Sequence, residues 1–127
     1  MARARLLLAG PSPTPVTDEE RMGIWLRFHE VVNLGAGELE AWLQTDESLA
    51  VGFKRNGGES VGHASGRRIV SLLRKADREL TTDDYKHMRR VVGYIHRHVA
   101  QRPRGEVTRT RWRYSLLNWG HDPLRPF

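Results

Sequence analysis

The stretch LTTDDYKHMRRVVGYIHRHVAQRP, residues 80–103, limits the possible folds more than any other part of the chain. Tyr85, Met88, Val92, Ile95 and Val99 recur at steps of three and four residues. That is the period of one helix face, and no strand can satisfy it. Thr81 or Thr82 can cap the helix, Asp83 and Asp84 suit its positive end, and Arg97 and His98 suit its negative end before Pro103 stops it. Lys86, Arg89, Arg90 and Arg97 point away from the apolar stripe. The segment is therefore a core helix with a cationic outer surface, and it requires other helices to cover its stripe.

Those partners are legible. TDEE, residues 17–20, forms a capping box from Thr17 and Glu20, and Ile24, Trp25, Phe28, Val31 and Val32 continue one face to about Asn33. After the NLGAG break, GELEAWLQT predicts a short helix with Leu39, Trp42 and Leu43 inward. DESLAVGFKRNGGES reads as loop or a frayed helical turn. SVGHASGRRIVSLLRKA predicts a helix with Val61, Ser65, Ile69, Leu72 and Ala76 on one side, Leu73 beside them, and Arg67, Arg68, Ser71, Arg74, Lys75 and Arg78 away. Gly62 and Gly66 there mark either a late start or a close backbone approach.

The last segment, TRTRWRYSLLNWGHDP, concentrates arginines and tryptophans. Helix, capped by Thr108 or Thr110 and ended by Gly120, places Trp112, Leu116 and Trp119 on one face and Arg109 and Arg113 on another. The alternative, an extended segment, would line up Arg109, Arg111 and Arg113 opposite Trp112 and Tyr114. The helical reading fits the SLLNWG ending better and makes the tryptophans core and the arginines the exposed part. The fold expected is all-α: a compact bundle of four to five helices over residues 17–127, with Trp25, Trp42, Trp112 and Trp119 in the core and residues 1–16 a flexible proline-rich leader.

A length of 127 residues suits one domain, and the absence of cysteine removes disulfides and thiolate chemistry. The opening MARARLLLAGP has an apolar run too short for a signal peptide, and no run approaches the roughly 18 apolar residues of a membrane span. A soluble cytoplasmic protein is expected, with no membrane partner.

Charge is unevenly distributed. Residues 1–60 hold six basic against nine acidic groups, and residues 61–127 hold 15 against six, giving a net +6 overall. Arg67, Arg68, Arg74, Lys75, Lys86, Arg89, Arg90 and Arg97, continued by Arg102, Arg104, Arg109, Arg111 and Arg113, form a nearly continuous basic series. Such a series suits the phosphates of nucleic acid, and arginine-rich composition suits bidentate phosphate contact. The competing reading is a solvated face paired with the acidic half of the same molecule. The expected function is a small DNA-binding protein contacting the phosphates of duplex DNA, or RNA, with low sequence selectivity, and nucleoid-associated in that case. A protein-interaction module using opposed acidic and basic faces is the alternative.

Catalysis has weaker support. His96 and His98 lie about 200° apart around a helix and cannot share an ion, and no HExxH pattern occurs. His121-Asp122 could form a base and its orienter, but Asp122 and Asn118 better suit capping or closing a turn before Pro123, and Ser60 and Ser65 near His63 lack a G-x-S-x-G context. A nuclease-like hydrolase using His63, His96 or His121 is the enzymatic rival. No cofactor, metal or catalytic residue is expected.

The blocks ESVGHASGRRIVSLL, DDYKHMRRVVGYIHRHVAQRP and WRYSLLNWGHDP together resemble a bacterial and fungal family of small proteins catalogued as domain of unknown function 3140. The resemblance covers roughly residues 25–124 and carries no catalytic residues across. Many members are labelled as DNA-binding, which implies the same partner for this chain.

Overall fold

The computed structural model describes residues 16–54 and 57–125. They form six α-helices and one 3-10 turn, with no strand among the described residues: α1 (Asp18–Val31), α2 (Ala36–Trp42), α3 (Asp46–Ala50), α4 (Val61–Arg74), the turn Asp77–Glu79, α5 (Thr82–Val99) and α6 (Arg111–Asn118). The all-α expectation holds with one helix more than expected. The addition is α3, in the stretch read as loop or frayed turn, where Thr45 accepts a bond from the Ser48 N–H and fixes the first turn. The expected leader lies outside the described residues except for Val16, which is buried in the core.

Each long helix starts at a side-chain cap. Thr17 and Glu20 bond reciprocally at α1, Ser60 accepts from the His63 N–H at α4, and Thr110 accepts from the Arg113 N–H at α6. At α5 the cap is Thr81, whose hydroxyl accepts from the Asp84 N–H while the Asp84 carboxylate accepts from the Thr81 N–H. These bonds satisfy backbone N–H groups that a helix start otherwise leaves unpaired.

Two helix pairs make the body. α1 packs along α5, α2 packs along α4, and α6 touches α2, α3, α4 and α5. Ile24, Phe28, Leu39, Ile69, Met88, Val91, Ile95 and Leu116 are almost fully enclosed. At roughly 1.5–3 kcal/mol for burying each large apolar side chain, this shared core dominates the favourable side of folding. Val91 joins the predicted α5 face. Val99, assigned to that face, is instead 37% exposed, because it is the last residue of α5 and extends past the packed pair. Trp112 and Trp119 are buried as expected, but Trp25 and Trp42 are only half-buried. Their indole N–H groups bind Asp77 and Asn118, so each keeps its polar edge in a hydrogen bond at the margin of the core.

The α4 glycines mark a close approach. A Cβ on Gly66 would stand 2.5 Å from the Asn118 carbonyl oxygen, and one on Gly62 would stand 2.8 Å from Trp119 Nε1. Beyond α6, Gly120 adopts φ +83° and turns its carbonyl to accept the Asn33 and Leu34 N–H groups. This locks the C-terminal segment against the α1–α2 connection.

Candidate nucleic-acid interface

Trp112 of α6 and Trp119 just beyond its end stack with rings from α5. His87, Trp119, Tyr94, His98 and Trp112 stack in that order, with successive centroids 6.5, 4.1, 5.2 and 6.4 Å apart and planes within 18° of parallel. The Arg102 guanidinium lies 5.4 Å over the Trp112 ring, and the Arg90 guanidinium lies 5.9 Å over the Trp119 ring. Trp112 of α6 and Trp119 at its C-cap are seven residues apart, and His87, Tyr94 and His98 share a stripe of α5, so the two sets of rings pack into one stack. Burial holds His98 below its ordinary pKa. Burial, with Arg68 and Arg90 beside it, pushes His87 down to about 4. Both rings are therefore neutral at pH 7 and behave as packing groups.

The thirteen expected cations divide sharply. On α4, Arg67 makes two hydrogen bonds to Glu59, and Arg74 makes two to Glu40. Lys75 donates to Asp84 Oδ2 at 2.6 Å and Arg68 to Asp84 Oδ1 at 3.3 Å, tying α4 to the start of α5. Burial raises the Asp84 pKa, but the bonds from Lys75, the Thr81 N–H and Arg68 outweigh it and hold the carboxyl at about 2. Arg67, with His63 behind it, holds Glu59 at about 2. His63 itself meets Glu59 with Nδ1 and the Leu43 carbonyl with Nε2 at 2.8 Å. Arg89 pairs with Glu20 at 3.6 Å.

Arg113 departs from the exposed role expected of it. Its side chain is only 19% exposed, and the guanidinium donates to both Asp122 oxygens and to the Thr108 carbonyl. Asp122 also accepts the Leu124 N–H, so it closes the turn at the end of the chain, as its position before Pro123 suggested. His121 Nδ1 meets the Val31 carbonyl at 2.7 Å, and burial lowers its pKa. Among the described residues, no group of three or more histidine, aspartate or glutamate side chains could hold a metal ion.

The other seven cations, Lys86, Arg90, Arg97, Arg102, Arg104, Arg109 and Arg111, form no ion pair among the described residues. Lys86, Arg90 and Arg97 are four and seven residues apart on α5, within about 40° of one another around its axis. Arg102, Arg104 and Arg109 are exposed on the connector between α5 and α6, with Arg102 attracting Glu106. Arg111 begins α6 and donates to the Ala50 carbonyl at 3.3 Å, two residues before Gly52. Gly52 and the 69% exposed Phe53 line a cleft with Arg90 and Arg97. Phe53, Tyr94 and Asn118 played no part in the sequence reading of this surface. Tyr94 was open to detection through its spacing from His87 and His98, whereas Phe53 sits in a stretch with no periodicity.

No helix among the described residues is long and apolar enough to cross a membrane. No curated protein and no solved structure is significantly similar to the chain. The residues that build α4, α5 and most of α6 do lie within a known family model, which runs from residue 27 to residue 117. By that match the chain belongs to the family described as Protein of unknown function (DUF3140).

Proposed function

We propose that the protein binds nucleic acid, duplex DNA foremost, through phosphate contacts with low sequence selectivity. One observation carries the reading: of the eight expected cations from Lys86 to Arg111, only Arg89 forms an ion pair with a carboxylate among the described residues. Mutual repulsion among unpaired guanidiniums is relieved by a line of phosphates, and each contact releases counterions from the polymer. The basic surface is narrower than the sequence suggested, since the cations of α4 and Arg113 are already held by carboxylates. The same pairing turns Glu20, Glu38, Glu40 and Glu59 toward arginines of their own chain, which leaves less acidic surface for a module built on opposed faces.

Titration of a labelled duplex at several salt concentrations tests the proposal. The expected result is binding at low salt whose logarithmic salt slope is about 0.9 per contacted phosphate. No binding at low salt, or a midpoint insensitive to salt, would overturn it.

A further inference from the structure

The cleft beside α5 has features that a phosphate-tracking surface does not require. It encloses about 280 Å³, close to the lower bound for small-molecule sites. Arg90 and Arg97 line it two helical turns apart on one side of α5, and neither forms an ion pair among the described residues. Gly93 lies between them. A Cβ there would stand 3.1 Å from Arg97 Nη1, so the missing side chain lets the Arg97 guanidinium fold back along the helix toward Arg90. Like charges directed into one cleft call for an anion.

The floor supplies a further donor. Trp119 is 3% exposed, both faces of its ring lie in the aromatic stack, and its Nε1–H, beside Gly62, makes no hydrogen bond with any described residue. The indole nitrogen is not sealed from solvent, so this N–H opens to the cleft, where an acceptor can reach it. Phe53 stands at the same cleft with 69% of its surface exposed, an open aromatic plane that the core does not use.

We propose that this cleft takes a single nucleotide, its phosphate between Arg90 and Arg97 and its base against Phe53, with an acceptor atom turned to the Trp119 indole N–H. The inference rests on the nucleic-acid reading for its choice of a nucleotide over other flat anions. Arginine pairs hold phosphate, and an aromatic plane accepts any base because every base has a π face. The nucleotide can be free or the unpaired end of a strand.

The test is titration of 5′-AMP into the full chain at low salt, followed by equilibrium dialysis and by the Trp119 indole N–H resonance. The resonance is expected to shift on binding, with adenosine and inorganic phosphate each at least about tenfold weaker than AMP. Arg90→Ala and Arg97→Ala each lower affinity about tenfold, the loss typical of a hydrogen bond to a charged group. Gly93→Ala weakens AMP while improving helix propensity, so its loss cannot come from unfolding. Phe53→Ala weakens AMP and leaves phosphate binding unchanged. An unmoved Trp119 resonance, phosphate binding as tightly as AMP, or a Phe53→Ala variant indistinguishable from the parent overturns the proposal. Competition between AMP and a duplex with a single-stranded overhang, but not a blunt duplex, assigns the nucleotide to a strand end; absence of competition by either assigns it to the free molecule. A blunt duplex that fails to bind while AMP succeeds removes only the wider surface reading, and the reverse removes only the cleft.

Discussion

On α4 and at its C-cap, Arg67, Arg68, Arg74 and Lys75 each form an ion pair with a carboxylate, whereas seven of the eight expected cations between Lys86 and Arg111 form none among the described residues. The two stretches look alike in composition. What separates them is which acids the fold brings near. Glu40 and Glu59 precede α4 in the chain and end beside it, and Asp84, on the far side of the connecting turn, is buried against Lys75 and Arg68. The α5–α6 connector has only Glu106 in its own sequence. A count of basic residues thus measures how much charge the chain carries, and the pairing decides how much of it is open to a partner.

The largest expected effect comes from breaking the neutralised side. The Asp84 carboxylate completes the α5 capping box by accepting the Thr81 N–H and holds Arg68 of α4 and the adjoining Lys75, and its side chain is 8% exposed. Asp84→Ala should cost about 3 kcal/mol, measured by urea unfolding, since it strands charges beside a buried site and removes half of the capping box. A loss under about 0.5 kcal/mol would mean that the α4 cations are not structural and that the comparison fails. Acid unfolding gives the same contrast. The folded Asp84 pKa of about 2 lies below its ordinary 3.8, so the linked stability is fully present above 3.8 and disappears as pH falls through about 2. That contribution is about 2 kcal/mol, and the Asp84→Ala variant should lack it.

Next in size is Arg113 against Arg109. Arg113→Ala should cost about 2 kcal/mol, because it leaves the Asp122 carboxylate, 11% exposed, without its two-bond partner. Arg113→Lys should recover only part of this, since an ammonium cannot reproduce the planar fork. Arg109→Ala should stay within about 0.5 kcal/mol of the parent, because Arg109 is exposed and precedes the α6 cap. Equal losses at the two positions would erase the distinction between strut and surface.

Much of the scaffold was readable because it follows local rules. The cap at Thr17, the α5 stripe and the buried pair Trp112 and Trp119 all come from spacing along one segment. The neutralised cations were not readable, because Arg74 meets Glu40 across 34 residues and Lys75 meets Asp84 across a turn. Periodicity carries no record of which exposed groups meet. The aromatic stack lies between these cases. The spacing of His87, Tyr94 and His98 was visible on α5, and so was that of Trp112 and Trp119 on α6, but the meshing of the two faces depends on how the helices pack.

The smallest effect is expected from a charge-matched pair of variants, and it is the sharpest use of the comparison. Arg67→Ala with Arg74→Ala removes two positive charges, as does Arg104→Ala with Arg109→Ala. If formal charge governed the proposed DNA binding, both would reduce the salt slope equally. The first pair removes guanidiniums already bound to Glu59 and Glu40, so its slope should match the parent and its affinity should move less than about twofold. The second pair removes groups that form no ion pair among the described residues, and its slope should fall by about 1.8, roughly 0.9 for each lost phosphate contact. Matched slopes for the two pairs would show that DNA responds to total charge alone and that the intramolecular pairing opens under its field. Because both pairs change the net charge identically, any difference in slope reports where the fold leaves its cations unneutralised.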